Sequence, residues 1–202
     1  MKQSVLIIIP PLGVDSYKMG EKFTRDWPRD LQMEVINWPF FWEKDGGSYE
    51  ARLKRLTDKI EDLIQDDMRV SLLGLSAGGS VAINAFSEKK DGIDSVVNVG
   101  GRLRSGEVVF PKSKSENDNN FLFRESVERC EKNIEGLASA DKRKILTVRP
   151  LWDEFAPINF ATISGANNIQ NIAFEHILGI ILAMTAYKNK IFSFIKSNRN
   201  SA

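Results

Sequence analysis

The sequence has very little of two residues on which many structural and catalytic sites depend. Its 202 residues include one cysteine and one histidine. A single cysteine excludes an intrachain disulfide, and one histidine beside one cysteine excludes the usual structural zinc sites. We therefore predict neither a metal ion nor another cofactor. Any chemistry that needs an imidazole must use His176, the only histidine.

The chain also lacks an excess of charge and a long apolar run. Its 28 Lys and Arg against 27 Asp and Glu give a net charge of +1. The chain as a whole therefore has no broad positive electrostatic potential that would attract nucleic acid. No stretch approaches the roughly 20 apolar residues that span a bilayer. Residues 5–9 are apolar, but this run is shorter than the roughly 7 to 15 residues of a signal peptide. We expect a cytoplasmic protein with no nucleic-acid partner and no membrane span, of unknown oligomeric state.

What is present is an ordinary globular composition, 42% hydrophobic and 27% charged, which predicts a single domain over residues 1–202. Six short apolar runs, several rich in β-branched residues, have the character of parallel strands buried on both faces. The runs cover residues 4–9, 33–37, 70–75, 95–100, 144–148 and 168–173.

Helical patterns separate these runs. The clearest covers Tyr49 to Gln65, with Ser48 as its N-cap, and a weaker one covers Ser16 to Trp27, before Pro28. The alternation predicts an α/β fold, with a doubly wound, mostly parallel six-stranded sheet and helices on both faces, in three α/β/α layers.

One connection is unusually long for such a fold. Residues 102–143 contain a polar stretch, residues 112–120, followed by a helix from about Phe121 to Leu137. A solvated loop is the favoured interpretation of the polar stretch. Long connections in α/β folds are nevertheless often lids or binding loops.

The pattern Gly74-x-Ser76-x-Gly78 lies where an apolar strand passes into a helix. A turn that presents a serine at a strand tip is strained, and larger flanking side chains would collide with the neighbouring strand or helix. The N-terminus of the helix favours negative charge near the serine, and the N–H of Ala77 is a candidate donor to an oxyanion. Alone the pattern is weak, because three residues of about 7% frequency each occur by chance in roughly 7% of chains this long.

In this context the segment resembles the nucleophile elbow of the α/β-hydrolase superfamily, in which an acid and a histidine follow the serine in that order. Asp153, after the fifth run, matches the acid position, and Glu154 is the adjacent alternative. His176, after the last run, matches the histidine position. A glycine often precedes that histidine in the family, whereas this chain has Glu175.

The resemblance implies α/β-hydrolase topology. The six runs would be the family's third to eighth strands, with the first two absent, and residues 102–143 fall where a cap is commonly inserted. It also implies that the turn after the first strand supplies a second oxyanion donor. Pro10 and Pro11 have no N–H, so Leu12 is the first possible donor and Gly13 the next.

Three further residues are candidates for binding a substrate, because they follow predicted strand ends, where ligands bind in open α/β sheets. They are Trp42, Trp152 and Arg102. For the two tryptophans, packing in the core or the cap is the competing interpretation. For Arg102 the competing interpretation is a solvated surface charge.

The resemblance therefore implies a serine hydrolase that acts on a small-molecule acyl ester, a thioester or a small amide through a Ser76-His176-Asp153 triad. Two alternatives stay open at this point. A catalytically inactive hydrolase-fold binding protein is favoured by Glu175 and by the double proline. A flavodoxin-like protein would use the Gly78-Gly79 turn to bind a nucleotide or phosphate.

Overall fold

The computed structural model of the protein describes residues 2–13, 21–42, 47–106 and 121–200. Its strands form one sheet in the order β2-β1-β3-β4-β5-β6, and every neighbouring pair is parallel. The strands are β1 (Ser4–Ile9), β2 (Glu34–Asn37), β3 (Arg69–Leu75), β4 (Ile93–Val99), β5 (Ile145–Arg149) and β6 (Asn167–Gln170). The predicted α/β fold with a six-stranded sheet is confirmed.

The helices are α1 (Trp27–Leu31), α2 (Tyr49–Gln65), α3 (Gly78–Lys89), α4 (Phe121–Gly136), α5 (Ser139–Arg143), α6 (Ile158–Ala161), α7 (His176–Met184) and α8 (Lys188–Asn200). The side chain of Ser48 accepts a hydrogen bond from the N–H of Ala51 and so caps α2, as predicted. No single helix in the described ranges is long and apolar enough to cross a membrane, although α7 and α8, bent by 60° at the break between them, pass that test of length and composition as a pair.

Residues 14–20 of the predicted helix Ser16–Trp27 lie outside the described residues. Residues 21–24 are helical and residues 25–26 form a turn, so this helix ends before Pro28, at Thr24 rather than at Trp27. A separate short helix, α1, begins at Trp27 and contains Pro28 in its first turn. Proline is tolerated there because its missing N–H has no intrahelical acceptor in any case.

Helices cover the sheet on both faces, so the side chains of the central strands are buried at nearly every position, whereas the edge strands β2 and β6 are only partly buried or exposed. Along β1, Val5, Ile7 and Ile9 join one buried cluster with side chains of α2, α3 and α4. Leu6 and Ile8 join a second cluster, with side chains of α1, α7 and α8, on the opposite face.

Helix α4 contributes to the first of these clusters. Leu122, Cys130 and Ile134 are buried in it. Complete burial raises the pKa of the Cys130 thiol, because the thiolate would lose its hydration. Residues 107–120 of the long connection lie outside the described residues, and a cap role for residues 102–143 stays a prediction.

Candidate active site

Ser76 occupies the turn between β3 and α3 with a left-handed backbone, φ 48°. Its N–H donates to the carbonyl oxygen of Val99 on β4 at 2.9 Å, and its own carbonyl oxygen accepts from the N–H of Gly79 at 2.9 Å. These two bonds hold a conformation that a residue with a side chain adopts rarely. The turn presents the half-buried Ser76 side chain at the carboxyl end of the sheet.

The glycines on either side of Ser76 are required by close backbone packing. A Cβ atom on Gly74 would lie 2.2 Å from the carbonyl oxygen of Gly78. A Cβ atom on Gly78 would lie 2.3 Å from the carbonyl oxygen of Ile9 and 2.8 Å from that of Pro10. The chain leaving β1 therefore runs directly against the first turn of α3.

The structure brings Ser76, His176 and Asp153 together. The Oγ atom of Ser76 lies 2.8 Å from Nε2 of His176, and Nδ1 of His176 lies 2.9 Å from Oδ2 of Asp153. An ionised carboxylate can only accept, so Nδ1 carries the proton and its N–H donates a hydrogen bond to Asp153. Nε2 is then free to accept the hydroxyl proton of Ser76. Asp153 and His176 are both buried, which shields their interaction from water.

The second oxygen of Asp153 is also fixed. Its Oδ1 atom accepts hydrogen bonds from the N–H groups of Phe155 at 2.9 Å and Ala156 at 2.8 Å. Both carboxylate oxygens are therefore committed, one to the backbone of the loop after β5 and one to the imidazole. This arrangement fixes the orientation of the carboxylate toward His176.

Two glutamates hold the start of α7, and sequence reasoning gave neither of them this role. Glu154 Oε2 accepts from the backbone N–H of His176 at 3.2 Å. The Glu175 carboxylate caps the helix by accepting from the N–H groups of Ile177 and Leu178 at 3.0 and 2.7 Å. Glu175, which stands where the resemblance predicts a glycine, therefore has a structural role as an N-cap. The available signal was an acidic residue just before an apolar helix.

Asn98 is a further residue that sequence reasoning missed. Its side chain is buried at the end of β4, where Nδ2 donates to the carbonyl oxygen of Gly101 at 3.0 Å and Oδ1 accepts the Gly101 N–H at 3.0 Å. The adjacent Gly100 lies close to the imidazole, because a Cβ atom there would be 3.5 Å from Cε1 of His176. Asn98 thus fixes the turn that lies against His176. A lone amide within the apolar strand was the signal for it.

A buried polar network connects α4 to the turn at Ser76. The Ser80 hydroxyl donates to the carbonyl oxygen of Ala77 at 3.1 Å and lies 2.7 Å from the hydroxyl oxygen of Ser126 on α4. The hydroxyl oxygen of Tyr49 accepts from Ser126 and from Asn84 at 3.1 and 2.6 Å. Burial raises the pKa of Tyr49, so its hydroxyl stays neutral.

The candidate oxyanion donors lie near this turn. Ala77 is buried just before α3, and within the described part of the chain its N–H donates to no backbone carbonyl. Leu12 is half-buried against the first core cluster, and Gly13 is exposed with φ 110°. Their assignment as donors stays a prediction.

The three predicted substrate-binding residues occupy different environments. Trp42 is buried in the core, with its ring centroid 4.6 Å from that of Phe40. Trp152 is 41% exposed and immediately precedes Asp153. The half-buried Arg102 guanidinium lies 4.9 Å from the ring centroid of Phe160. In the described ranges, no three His, Cys, Asp or Glu side chains are arranged to hold a metal ion.

Comparison of the sequence with family models and with curated proteins finds no match. The structure, by contrast, is similar to many solved structures. A monoacylglycerol lipase from Paleococcus ferrophilus has a TM-score of 0.65 at 14% identity, over 96% of this chain and 94% of that chain. A structure from work on carboxylesterases of the thaumarchaeon Nitrososphaera gargenis has a TM-score of 0.64 at 12% identity, over 100% and 92%.

An α/β-hydrolase enzyme from the metagenome of sediments of the Mar Chica lagoon, Morocco, has a TM-score of 0.62 at 14% identity, over 98% of this chain and 93% of that chain. At these identities the likeness establishes the fold alone. The strand order and the strand–turn–helix at Ser76 agree with it. The chain therefore has the fold of the α/β-hydrolase superfamily.

Proposed function

We propose that the protein is a serine hydrolase that cleaves an ester, or a thioester or small amide, through an acyl-enzyme intermediate. One observation carries the proposal. The Ser76 Oγ atom lies 2.8 Å from a His176 nitrogen whose partner nitrogen is fixed on Asp153. A nucleophile, a base within hydrogen-bond reach and a group that orients the base are what nucleophilic catalysis by serine requires.

The reaction would proceed in two halves. His176 Nε2 takes the hydroxyl proton as Ser76 Oγ attacks the acyl carbon, and the resulting imidazolium is stabilised by Asp153. The N–H of Ala77 and the N-terminus of α3 stabilise the oxyanion. The imidazolium then protonates the departing alcohol, thiol or amine. Water, activated by His176 in the same way, releases the acid and regenerates Ser76.

An ester is the preferred substrate because an alkoxide leaves more easily than an amide nitrogen. Structural neighbours described as a lipase and as carboxylesterases agree with this choice. The hydrogen bond between Ser76 and His176 favours the hydrolase over the inactive binding protein, since its length lies in the range of about 2.6–3.2 Å expected of a working pair.

Labelling with a fluorophosphonate probe tests the proposal. We expect the native protein to react at Ser76, identified by peptide mass spectrometry, and Ser76→Ala to remain unlabelled. His176→Ala should label far more slowly, because no second histidine can replace the base. A folded protein that never reacts at Ser76, or that labels equally well without His176, would overturn the proposal.

A further inference from the structure

Most of the exposed apolar side chains lie around the candidate active site. Eight of the ten large hydrophobic side chains that are exposed in the described residues lie in residues 151–158 and 172–178. We call the exposed apolar side chains of these two segments the apolar rim. Their exposed fractions run from 37% to 72%. Together they expose on the order of 700 Å² of mainly apolar surface, above the roughly 300–600 Å² of the largest patch on a typical monomer.

The two segments form one surface, and that surface borders the imidazole. The N–H of Leu151 donates to the carbonyl oxygen of Ala173 at 2.8 Å, so the neighbours of Ala173 in the chain flank the loop after β5. The Phe155 ring lies edge-on to the His176 ring, with 5.3 Å between the centroids. The apolar rim is therefore continuous with the group proposed to act as the base.

The charges of the rim indicate which kind of partner it fits. Neither residues 150–158 nor residues 171–186 include a lysine or an arginine. The acidic side chains within them, Asp153, Glu154 and Glu175, all accept hydrogen bonds from backbone N–H groups. Within these two segments the surface thus offers apolar area without a cation for an anionic headgroup or an acidic protein. The nearby Arg102 and Arg104 are held against α6, Arg102 over the Phe160 ring and Arg104 by donating to the carbonyl oxygens of Asn159 and Thr162.

We propose that the apolar rim docks the protein on a neutral or zwitterionic lipid surface, from which an ester with a long acyl chain reaches Ser76. A protein partner seated on the rim would cover the approach to His176. A fluid lipid layer buries the same apolar side chains and also supplies the substrate. The proposal deepens the proposed function and rests on it for the chemistry, because it names the class and physical state of the ester.

Flotation with phosphatidylcholine vesicles measures the docking without turnover, if the Ser76→Ala chain is used. We expect this chain to float with the vesicles. Adding Ile172→Ser and Phe174→Ser, at positions 72% and 67% exposed, should lower the partition coefficient at least tenfold. The matched control is Phe121→Ser on α4, 69% exposed and outside the rim, which should leave partitioning unchanged.

The dependence of binding on lipid charge and on salt distinguishes docking on a neutral or zwitterionic lipid surface from docking on an anionic one. Phosphatidylglycerol added to the vesicles should not strengthen binding, and added salt should not weaken it. The proposal is overturned if the Ser76→Ala chain does not float, if the Phe121 control loses as much, or if binding requires phosphatidylglycerol. It is also overturned if the protein is a dimer in solution that the two rim substitutions dissociate, since the rim would then join two copies.

Activity on two esters distinguishes failure of this proposal from failure of the proposed function. With Ser76 present, the double rim variant should hydrolyse soluble p-nitrophenyl acetate at the wild-type rate but an emulsified long-chain ester at least tenfold more slowly. Flotation without hydrolysis of either ester by the wild type would refute the serine hydrolase and leave the lipid surface intact. Hydrolysis of p-nitrophenyl acetate without flotation would refute docking on a lipid surface and leave the serine hydrolase intact.

Discussion

Replacing Asp153 with asparagine tests the proposed mechanism sharply, because the structure dictates how the new amide must orient. The backbone N–H groups of Phe155 and Ala156 point at Oδ1, so the amide oxygen has to stay there. The amide nitrogen then faces His176 Nδ1, where the structure now has a carboxylate oxygen at 2.9 Å.

The substitution would change which nitrogen of His176 carries the proton. An NH₂ group that faces Nδ1 needs an acceptor, so the imidazole proton moves to Nε2. Nε2 then directs an N–H at the Ser76 hydroxyl and can no longer take its proton. We expect kcat to fall by about 10⁴-fold, the size of effect that this tautomer change has in serine hydrolysis. This corresponds to about 5 kcal/mol of activation free energy.

The assay is steady-state hydrolysis of p-nitrophenyl acetate, with thermal unfolding as the check on folding. The matched control is Glu154→Gln, one residue away. Its amide oxygen can still accept the backbone N–H of His176, so the loss should stay below about tenfold. If Asp153→Asn kept more than a tenth of the wild-type kcat, or Glu154→Gln were equally damaging, Asp153 would not be the residue that orients the base.

Three predictions concern stability and reactivity. Gly78→Ala should cost about 3 kcal/mol of unfolding free energy in a denaturant titration, because its Cβ would lie 2.3 Å from the carbonyl oxygen of Ile9. The control Gly136→Ala should cost nothing, because a Cβ atom there meets nothing within 4 Å. Equal losses of stability in the two variants would contradict the packing argument. Tyr49→Phe should cost about 1–3 kcal/mol by removing an acceptor from the buried polar network, and an unchanged melting temperature would count against that network. Iodoacetamide should modify Cys130 only after unfolding, because the thiol is fully buried and its pKa is raised; rapid labelling of the native protein would disprove its burial.

The central strands were predictable from the sequence because burial on both faces leaves a continuous apolar run. The edge strand β6, Asn167–Gln170, is mostly polar and exposed, and its pattern is correspondingly weaker. The predicted first strand agrees with Ser4–Ile9 at both ends, whereas the predicted last strand runs three residues too far. Strand β6 ends just before Asn171, whose side chain hydrogen-bonds to the backbone: its Oδ1 accepts the N–H of Ala173 and its Nδ2 donates to the carbonyl oxygen of Gly179. Side-chain bonds of this kind end a strand without changing its hydrophobic pattern.

The candidate site, too, was predictable from the sequence only in part. The residue types and their order along the chain, read through the resemblance to the nucleophile elbow and its triad order, selected Ser76, Asp153 and His176 as candidates. The positions of Asn98 and Glu154 were not predictable, because an amide in a strand and an acid in a loop have no periodicity that indicates their partners. The bond from Asn98 to Gly101 spans only three residues and depends on the turn that follows β4. The bond between Glu154 and the backbone of His176, 22 residues apart, exists only once the loops after β5 and β6 meet at the sheet edge.

By itself the sequence determined the alternation of strands and helices, the need for glycine around Ser76 and the identity of the only possible imidazole base. These follow from local properties, since hydrophobic period and side-chain volume act between near neighbours in the chain. The tertiary structure decided that Ser76 and His176, 100 residues apart, lie 2.8 Å from each other. It also left the apolar residues around them exposed. Distance and exposure depend on how distant segments pack, because the sheet brings the carboxyl ends of its strands to one edge.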